Sequence, residues 1–201
     1  MVKASESRIE LGIKFLKKGF PIVLPTDTLY GICADALNYR AVEKIYELKN
    51  RNPKKPLIVL ISNLNQLKEF FFVKELPEKV KELFLLEEPI SILLPVQGFD
   101  WITRGKRKVA FRLVKRGFIK KFLDRYGRPI VAPSANWEGF PPAKTPFQAL
   151  FYFGNRVAVY YNGGFLKGAP STLVDPFEGK ILREGNPTVA EKVGKILNQI
   201  R

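Results

Sequence analysis

Three groups of small polar residues in this chain each follow a short apolar segment of strand length. They are residues 26–31 (TDTLYG), residues 133–136 (PSAN), and residues 171–175 (STLVD) together with residues 182–185 (LREG). Ligands of α/β proteins usually bind where strands end, and hydroxyl and amide groups there donate hydrogen bonds to anionic oxygens. The groups therefore indicate either one anion-binding cleft or three ordinary turns and helix caps, which use the same residue types.

Two basic features favour the cleft. Residues 49–56 (KNRNPKKP) lie between a predicted helix and a predicted buried strand, and Arg112 ends the short apolar strand that begins at Val109. Arginine binds carboxylates and phosphates through two-point contacts, whereas lysine acts as a point charge. A solvated loop explains Lys54 well, but it explains Arg112 less well, because Arg112 stands in an apolar stretch.

A third basic feature is the segment of residues 103–128, which contains eleven Lys or Arg and one acidic residue, Asp124. The chain as a whole carries a net charge of +15, which favours anionic partners such as nucleic acid, nucleotides or phosphorylated metabolites. The segment is typical of an electrostatic footprint for RNA, and equally of a solvated helix face.

The composition excludes several kinds of chemistry. The chain has no histidine and one cysteine, so it cannot form a Ser-His or Cys-His nucleophile pair, a histidine proton relay, a His/Cys zinc site or an internal disulfide. It also lacks the G-x-x-x-x-G-K-[ST] phosphate loop and the G-x-G-x-x-G turn. Chemistry in this protein must use carboxylates, hydroxyls, Lys, Arg, backbone groups or a cofactor.

The elements that position these groups alternate between helices and strands. Apolar residues at helical spacing, with caps and breakers, predict helices over residues 5–18, 40–49, 63–72, 77–86, 118–126, 145–153 and 187–200. Short apolar runs predict strands over residues 21–25, 56–61, 90–96, 109–113, 129–132, 157–161, 171–174 and 180–183. The pattern predicts an α/β (α+β) fold with a mixed sheet, because several strands follow each other directly.

The length of 201 residues predicts a single domain over residues 1–201 with a sizeable core. The N-terminal segment MVKASESRIELG lacks the apolar core of a signal peptide, and the apolar runs are too short to cross a membrane. We therefore expect a cytoplasmic protein without a membrane partner.

The polar and basic groups together form a more specific pattern. In order along the chain, the segments PTDTLYGICADA, KNRNPKKPLIVLI, VAFR, PIVAPSAN, STLVD and ILREG resemble the YrdC-like family, whose enzymes are threonylcarbamoyl-AMP synthases. The resemblance extends over residues 9–186. It implies a twisted, mixed, YrdC-like sheet that has helices on one face and a concave basic cavity on the other.

The resemblance also implies a reaction and its partners. L-threonine, bicarbonate and ATP as substrate give threonylcarbamoyl-AMP and pyrophosphate, and a downstream complex transfers the threonylcarbamoyl group to an adenosine of tRNA. Mg²⁺ normally accompanies the triphosphate. Because every intermediate is anionic, the reaction depends on positioning and charge neutralisation and needs no histidine.

Matching motifs imply the site residues. The residues expected to bind threonine are Thr28, Tyr30, Arg112, Ala132 and Ser171. The residues expected to bind ATP are Lys49, Arg51, Lys55, Ser134, Asn136 and Arg183. Arg51, Lys55 and Arg112 are expected to neutralise charge, and the resemblance assigns neither a general acid or base nor a metal ligand.

The chain departs from the family pattern at Leu60, where many relatives read PLIVHI and this chain reads PLIVLI. The substitution removes a histidine that would contact threonine, and it leaves the amino-acid specificity open. Two alternatives to the synthase remain. One is an RNA-binding module for double-stranded RNA or tRNA without catalysis. The other is a carbamoyl-transfer domain, which normally belongs to a much longer chain with zinc-finger cysteines.

Overall fold

The fold consists of ten strands and eight α-helices within residues 1–198, which are the residues described by this computed structural model. The strands are β1 (Val2–Lys3), β2 (Ile22–Pro25), β3 (Tyr30–Asp35), β4 (Ile58–Ile61), β5 (Ile90–Pro95), β6 (Lys108–Leu113), β7 (Ile130–Val131), β8 (Val159–Asn162), β9 (Thr172–Asp175) and β10 (Lys180–Arg183). The helices are α1 (Ile9–Lys17), α2 (Tyr39–Lys49), α3 (Asn65–Phe71), α4 (Glu78–Leu85), α5 (Asp100–Thr103), α6 (Gly117–Tyr126), α7 (Pro146–Phe153) and α8 (Pro187–Asn198).

The strands form one mixed sheet in the order β1-β8-β2-β3-β7-β4-β6-β5-β9-β10. The pairs β1–β8, β8–β2, β4–β6 and β5–β9 are parallel, and the other five pairs are antiparallel. The expectation of a mixed α/β sheet is confirmed. Two of the antiparallel pairs, β2–β3 and β9–β10, join strands that follow each other through short connections, residues 26–29 and 176–179.

Alternate residues of the strands enter two separate cores, one on each face of the sheet. On the first face, Val59 and Phe111 pack with α2, α3, α4, α7 and α8. On the second face, Leu60 and Ile130 pack with α1 and α6. The second face thus carries two helices at one end, and towards β5, β6, β9 and β10 it lines a cavity instead.

The helices and strands expected from the sequence are confirmed, with ends displaced by up to four residues. The last predicted helix ends at residue 200, and residues 199–200 lie outside the described residues. Three observed elements are absent from the expectation, namely β1, β3 and α5. Strand β3 has the sequence YGICAD, which does not alternate and contains residues of low strand propensity, and it forms because all six of its residues are buried in the sheet.

Two helix caps, one at the start of α7 and one at the end of α2, determine the course of the neighbouring loops. The side chain of Thr145 accepts a hydrogen bond from the backbone N–H of Gln148, and Pro146 occupies the first helical position, which confirms the predicted start of α7. Helix α2 ends at Asn50, which adopts the left-handed conformation with φ of 47°. This cap turns the chain sharply into the basic loop, residues 50–56.

The loops after β2 and β7 lie side by side. Ala135 donates a backbone hydrogen bond to Tyr30 (2.8 Å), Ile32 donates one to Pro133 (3.0 Å), and Gly31 pairs with Ser134 in an isolated antiparallel bridge. The TDTLYG and PSAN groups are therefore neighbours in space, although about 100 residues separate them in the chain. Among the described residues, no helix is long and apolar enough to span a bilayer.

Candidate functional site

Two adjoining cavities on the second face of the sheet collect most of the residues that the resemblance assigns. The first has about 480 Å³ of empty space, and its lining includes Thr28, Tyr30, Arg112, Ala132, Ser134, Ser171 and Arg183. The second has about 1230 Å³ of empty space, and its lining includes Arg51, Ser134 and Arg183. The cavities adjoin, because both are lined by Ile58, Pro133, Ser134 and Arg183.

The turn between β2 and β3 is held by the hydroxyl of Thr26. This hydroxyl donates to the carbonyl oxygen of Leu29 (2.6 Å) and accepts from the backbone N–H of Thr28 (3.1 Å). The hydroxyls of Thr26 and Thr28 also lie 3.0 Å apart. A threonine two or three residues before the groups it binds closes such a turn through local hydrogen bonds. The turn directs Thr28 into the first cavity.

Arg112 supplies the buried positive charge of the first cavity. It is 4% exposed and lies on β6 beside Leu60 of β4. Its Nη2 lies 3.1 Å from Oδ1 of Asp27, and its Nη1 donates to the hydroxyl of Thr28 at 3.4 Å. Its Nε has no hydrogen-bond partner within residues 1–198. Arg112 lines the first cavity, and a guanidinium at such a wall is suited to bind a carboxylate or a phosphate.

Arg183 extends the positive charge from the first cavity into the second. Its Nε donates to the carbonyl oxygen of Ser171 and its Nη2 to the hydroxyl of Ser171, both at 3.1 Å. The hydroxyl of Ser171 also lies 2.7 Å from that of Ser91 on β5. Burial lowers the pKa of Arg183, and the positive charges of Arg112 and Arg51 lower it further. The guanidinium groups of Arg51, Arg112 and Arg183 repel one another at the two adjoining cavities. An anionic ligand there would reduce this repulsion.

Lys49 does not line either cavity. It is 2% exposed, and its ammonium group donates to the carbonyl oxygens of Ser134 (2.5 Å) and Asn136 (2.7 Å). Burial lowers the pKa of Lys49 to about 7, and the charge of Arg51 adds to this effect. The donors of Lys49 thus hold the PSAN loop in place, and its assignment to ATP phosphates stays a prediction.

Asn136 is also committed to the loop that contains it. Its amide nitrogen donates to the carbonyl oxygens of Trp137 (2.7 Å) and Phe140 (2.8 Å), and its side-chain oxygen accepts from the hydroxyl of Ser134 (2.6 Å). Asn136 therefore shapes the loop, and Ser134 is the member of the pair that reaches both cavities.

The basic loop, residues 50–56, separates its two predicted phosphate ligands. Arg51 lines the second cavity and donates to the carbonyl oxygen of Pro56 at 2.9 Å. Lys55 lines neither cavity, because its ammonium group forms an ion pair with Glu138. Contact of Lys55 with a triphosphate stays a prediction, and it requires a different arrangement of this ion pair.

Tyr30 anchors a strap, defined here as residues 163–170, that runs beside the first cavity. The hydroxyl of Tyr30 accepts from the backbone N–H of Gly163 (3.0 Å) and donates to the carbonyl oxygen of Gly164 (2.7 Å). At Gly168 the strap approaches the loop so closely that a Cβ would lie 2.1 Å from the carbonyl oxygen of Thr28. Only glycine permits this approach of two backbones.

Ala132 and Leu60, which the sequence motifs also single out, differ in their position relative to the first cavity. The backbone N–H of Ala132 donates to Ile58 (3.1 Å), and Ala132 lines the first cavity. Leu60 is fully buried in the core beneath α1 and α6 and does not line that cavity. A leucine at this position fills apolar space, so the cavity wall is formed by other residues, among them Ile58 and Ala132.

The sequence analysis assigns no role to three residues of the site, Asp27, Ser91 and Glu138. Asp27 lies in the TDTLYG group directly before Thr28, so its place in the sequence could have indicated that it belongs to the site. Ser91 and Glu138 contact partners 80 and 83 residues away along the chain, and no local pattern indicates such contacts.

The basic residues of the segment 103–128 do not form one uncompensated surface. Seven of the eleven form ion pairs with acidic side chains of the described residues: Arg104, Lys108, Arg112, Lys120, Lys121, Arg125 and Arg128. Arg112 lies in the first cavity, and Lys108 lines the second, where it pairs with Asp175. Lys120, Lys121 and Arg125 lie on α6, whereas Arg104 pairs with Glu43 of α2 on the first face. These charges are therefore spread over both faces of the sheet.

The described part of the chain contains no group of three or more His, Cys, Asp or Glu side chains that could hold a metal ion. Asp175 lies at the wall of the second cavity, but its Oδ2 pairs with Lys108 at 2.5 Å and its Oδ1 accepts from the N–H groups of Phe177 and Glu178. The side chains at these cavities therefore do not fit a metal site built by the protein alone.

Comparisons with known proteins agree with the sequence motifs. The sequence profile of the Sua5/YciO/YrdC family, described as telomere recombination, matches residues 14–185. The threonylcarbamoyl-AMP synthase of Pyrococcus abyssi is 31% identical over 99% of this chain and 60% of its own length. That of an Enterobacter species is 29% identical over 88% of this chain and 95% of its own length.

A solved structure of similar shape is P. abyssi Sua5 complexed with L-threonine. It matches with a TM-score of 0.86 at 32% identity, over 94% of this chain and 58% of that chain. This chain therefore spans less than two thirds of the Pyrococcus protein, and nearly the full length of the Enterobacter protein.

The burial of Lys49 predicts a pH-dependent stability. We expect the unfolding free energy of the wild type, minus that of Lys49→Met, to rise between about pH 7 and pH 10. The folded pKa of about 7 lies below the ordinary value of 10.5. The unfolded chain therefore binds more protons in this window, and stability rises by up to about 1.4 kcal/mol per pH unit. Below about pH 7 both states are protonated and the difference levels off. Urea unfolding of both proteins at pH 7, 8 and 9 measures this difference in unfolding free energy. A difference that does not change with pH would contradict the prediction.

The close approach at Gly168 predicts a second effect on stability. Gly168→Ala must push the strap away from the backbone of Thr28, so we expect a loss of about 1–3 kcal/mol, measured as a lower melting temperature. Gly194→Ala is the control: a Cβ there meets no atom within 4 Å, and alanine favours the helix α8, so the melting temperature should not fall. A melting temperature of Gly168→Ala equal to that of the wild type would mean that the strap adjusts freely.

Proposed function

The chain belongs to the Sua5/YciO/YrdC family, and we propose that it is a threonylcarbamoyl-AMP synthase that uses L-threonine, bicarbonate and ATP. The observation that carries the proposal is the buried Arg112, which lines the first cavity beside Thr28, next to a second cavity lined by Arg51 and Arg183. Relatives named for this activity are 27–31% identical to most of the chain.

In this proposal threonine binds in the first cavity. The guanidinium of Arg112, which lines the cavity and is held there by Asp27, binds the carboxylate through two of its N–H groups. The hydroxyls of Thr28 and Ser171 contact the amino acid, and Tyr30 and Ala132 form part of the wall. The similar P. abyssi protein was solved as a complex with L-threonine, which supports this assignment.

ATP binds in the second cavity, with its α-phosphate near the boundary that Ser134 and Arg183 share with the first. The amine of threonine and bicarbonate form a carbamate and water. A carbamate oxygen then attacks the α-phosphorus, and the bond from that phosphorus to the leaving pyrophosphate breaks. Arg51 and Arg183 neutralise the phosphates, and Arg112 neutralises the carboxylate, so the site acts by positioning and charge stabilisation.

Mg²⁺ enters this proposal as part of the substrate, MgATP. The side chains of the described residues at the cavities do not form a metal site of their own, and magnesium bound to nucleotides needs few protein ligands beyond the phosphates. Further parts of the proposal are a cytoplasmic location, a single domain over residues 1–201, and delivery of the product to a complex that modifies tRNA. Direct binding of tRNA or double-stranded RNA is a separate property, which the synthase reaction does not require.

The reaction predicts pyrophosphate release that depends on both threonine and bicarbonate. The purified chain, incubated with MgATP, labelled bicarbonate and threonine, should form a labelled adenylate together with an equal amount of pyrophosphate. Chromatographic separation of the adenylates measures the product. Equal pyrophosphate release without threonine or without bicarbonate would exclude the synthase, and an RNA-binding protein without catalysis would release none.

Arg112→Lys tests the carboxylate clamp, because lysine keeps the charge and loses the two-point contact. We expect the KM for threonine to rise about 10- to 150-fold, the range that charge-assisted hydrogen bonds contribute, with little change in ATP affinity. The control is Arg125→Lys, which alters an exposed ion pair with Glu10 on the helical side. Steady-state kinetics with each substrate varied in turn measure both effects. An equal loss of affinity for ATP would assign Arg112 to the phosphates.

A further inference from the structure

Glu138 binds two anion-binding groups of the basic loop at once. Its Oε1 forms the ion pair with the ammonium group of Lys55, and its Oε2 accepts a hydrogen bond from the backbone N–H of Asn52. A lysine ammonium and a backbone N–H are the donor types that bind phosphate oxygens in proteins. The carboxylate thus occupies the donors that an incoming phosphate would use.

The position of Glu138 is determined by the backbone and not by this ion pair. Its N–H donates to the carbonyl oxygen of Lys49 at 2.8 Å, which joins the chain after the PSAN loop to the end of α2. The basic loop has contacts of its own as well, because the hydroxyl of Tyr46 donates to the carbonyl oxygen of Lys55 (2.8 Å) and Arg51 donates to that of Pro56 (2.9 Å). Each segment therefore has hydrogen bonds besides the Lys55–Glu138 pair.

The pair is placed where it can exchange with a ligand. The side chain of Lys55 is 57% exposed and that of Glu138 is 23% exposed, so solvent weakens their attraction. The hydrogen bond from Lys55 lowers the pKa of Glu138, and the N–H of Asn52 lowers it further, so the carboxylate is charged at neutral pH. Arg51, the neighbour of Asn52 in the loop, already lines the second cavity.

We propose that Glu138 is an internal competitor of the triphosphate: its carboxylate holds Lys55 and the N–H of Asn52 until ATP replaces it, and it takes them back when pyrophosphate leaves. The inference rests on the proposed function and deepens it by naming a residue that sets the affinity for ATP and pyrophosphate. Glu138 acts through Lys55 and contacts no reacting atom, so it is a positioning residue.

Glu138→Gln separates competition from anchoring. The amide oxygen of glutamine can still accept from the N–H of Asn52, whereas the ion pair with Lys55 is lost. Exposed ion pairs change equilibrium constants by about 2- to 5-fold, so we expect MgATP and pyrophosphate to bind about 2- to 5-fold more tightly to the variant. The gain should be larger at low ionic strength, and the KM for threonine should stay unchanged.

Lys55→Gln and the double variant Glu138→Gln/Lys55→Gln complete a double-mutant cycle. If Glu138 acts through Lys55, then Glu138→Gln should add nothing once Lys55 is replaced. Glu88→Gln is the matched control, because Glu88 forms a similar ion pair with Lys192 and its side chain is 26% exposed. Titration calorimetry with MgATP, and separately with pyrophosphate, gives the dissociation constants of the wild type and the four variants.

Unchanged or weaker binding of both probes to Glu138→Gln would overturn the proposal and make Glu138 an anchor of the loop. Equal gains in the presence and absence of Lys55 would also overturn it. The failure of the proposed function has a different signature, since the wild type would then release no threonine-dependent pyrophosphate while the calorimetric comparison still decides the role of Glu138. A wild type that binds neither probe overturns both.

Discussion

The burial of a guanidinium on an interior strand of a mixed sheet is the constraint on which the site depends. Arg112 lies on β6 with 4% of its surface exposed, and a buried charge is costly unless it is paired and hydrogen-bonded. Asp27 and Thr28 supply part of that compensation from the turn between β2 and β3. The Nε has no partner among residues 1–198, so the compensation that the protein itself supplies is incomplete. In the proposed function, the carboxylate of the ligand supplies more of it.

Two buried cations have different roles here because their donors find different partners. Lys49 meets the carbonyl oxygens of Ser134 and Asn136, so its charge holds one loop beside the cavities. Arg112 contacts only the carboxylate of Asp27 and the hydroxyl of Thr28 among the described residues, so its guanidinium has N–H groups left for a further partner. A chain without histidine can in this way build both the scaffold and the charge of an anion site from Lys, Arg and small polar residues.

Local signals are sufficient for most elements. Apolar spacing and caps predict the main helices, and the Thr145 cap is an example in which the local sequence and the structure agree in detail. Strand β3 is not predicted, because its burial comes from neighbours on both sides and both faces, which its own composition does not express. The motif resemblance likewise points to eight residues that the fold collects around two cavities, although it carries no information about distances.

Local order along the chain is enough to predict the residue types of the site, the segments that carry them and the family pattern. Which basic residues hold loops and which line the cavities is visible only in the folded protein. Lys49 is covered by the PSAN loop, and Lys55 meets Glu138 from 83 residues away. Arg112 turns to Asp27 across the sheet. The partner of a charged side chain depends on which strands and loops pack together, and packing between distant segments has no local signature in the sequence.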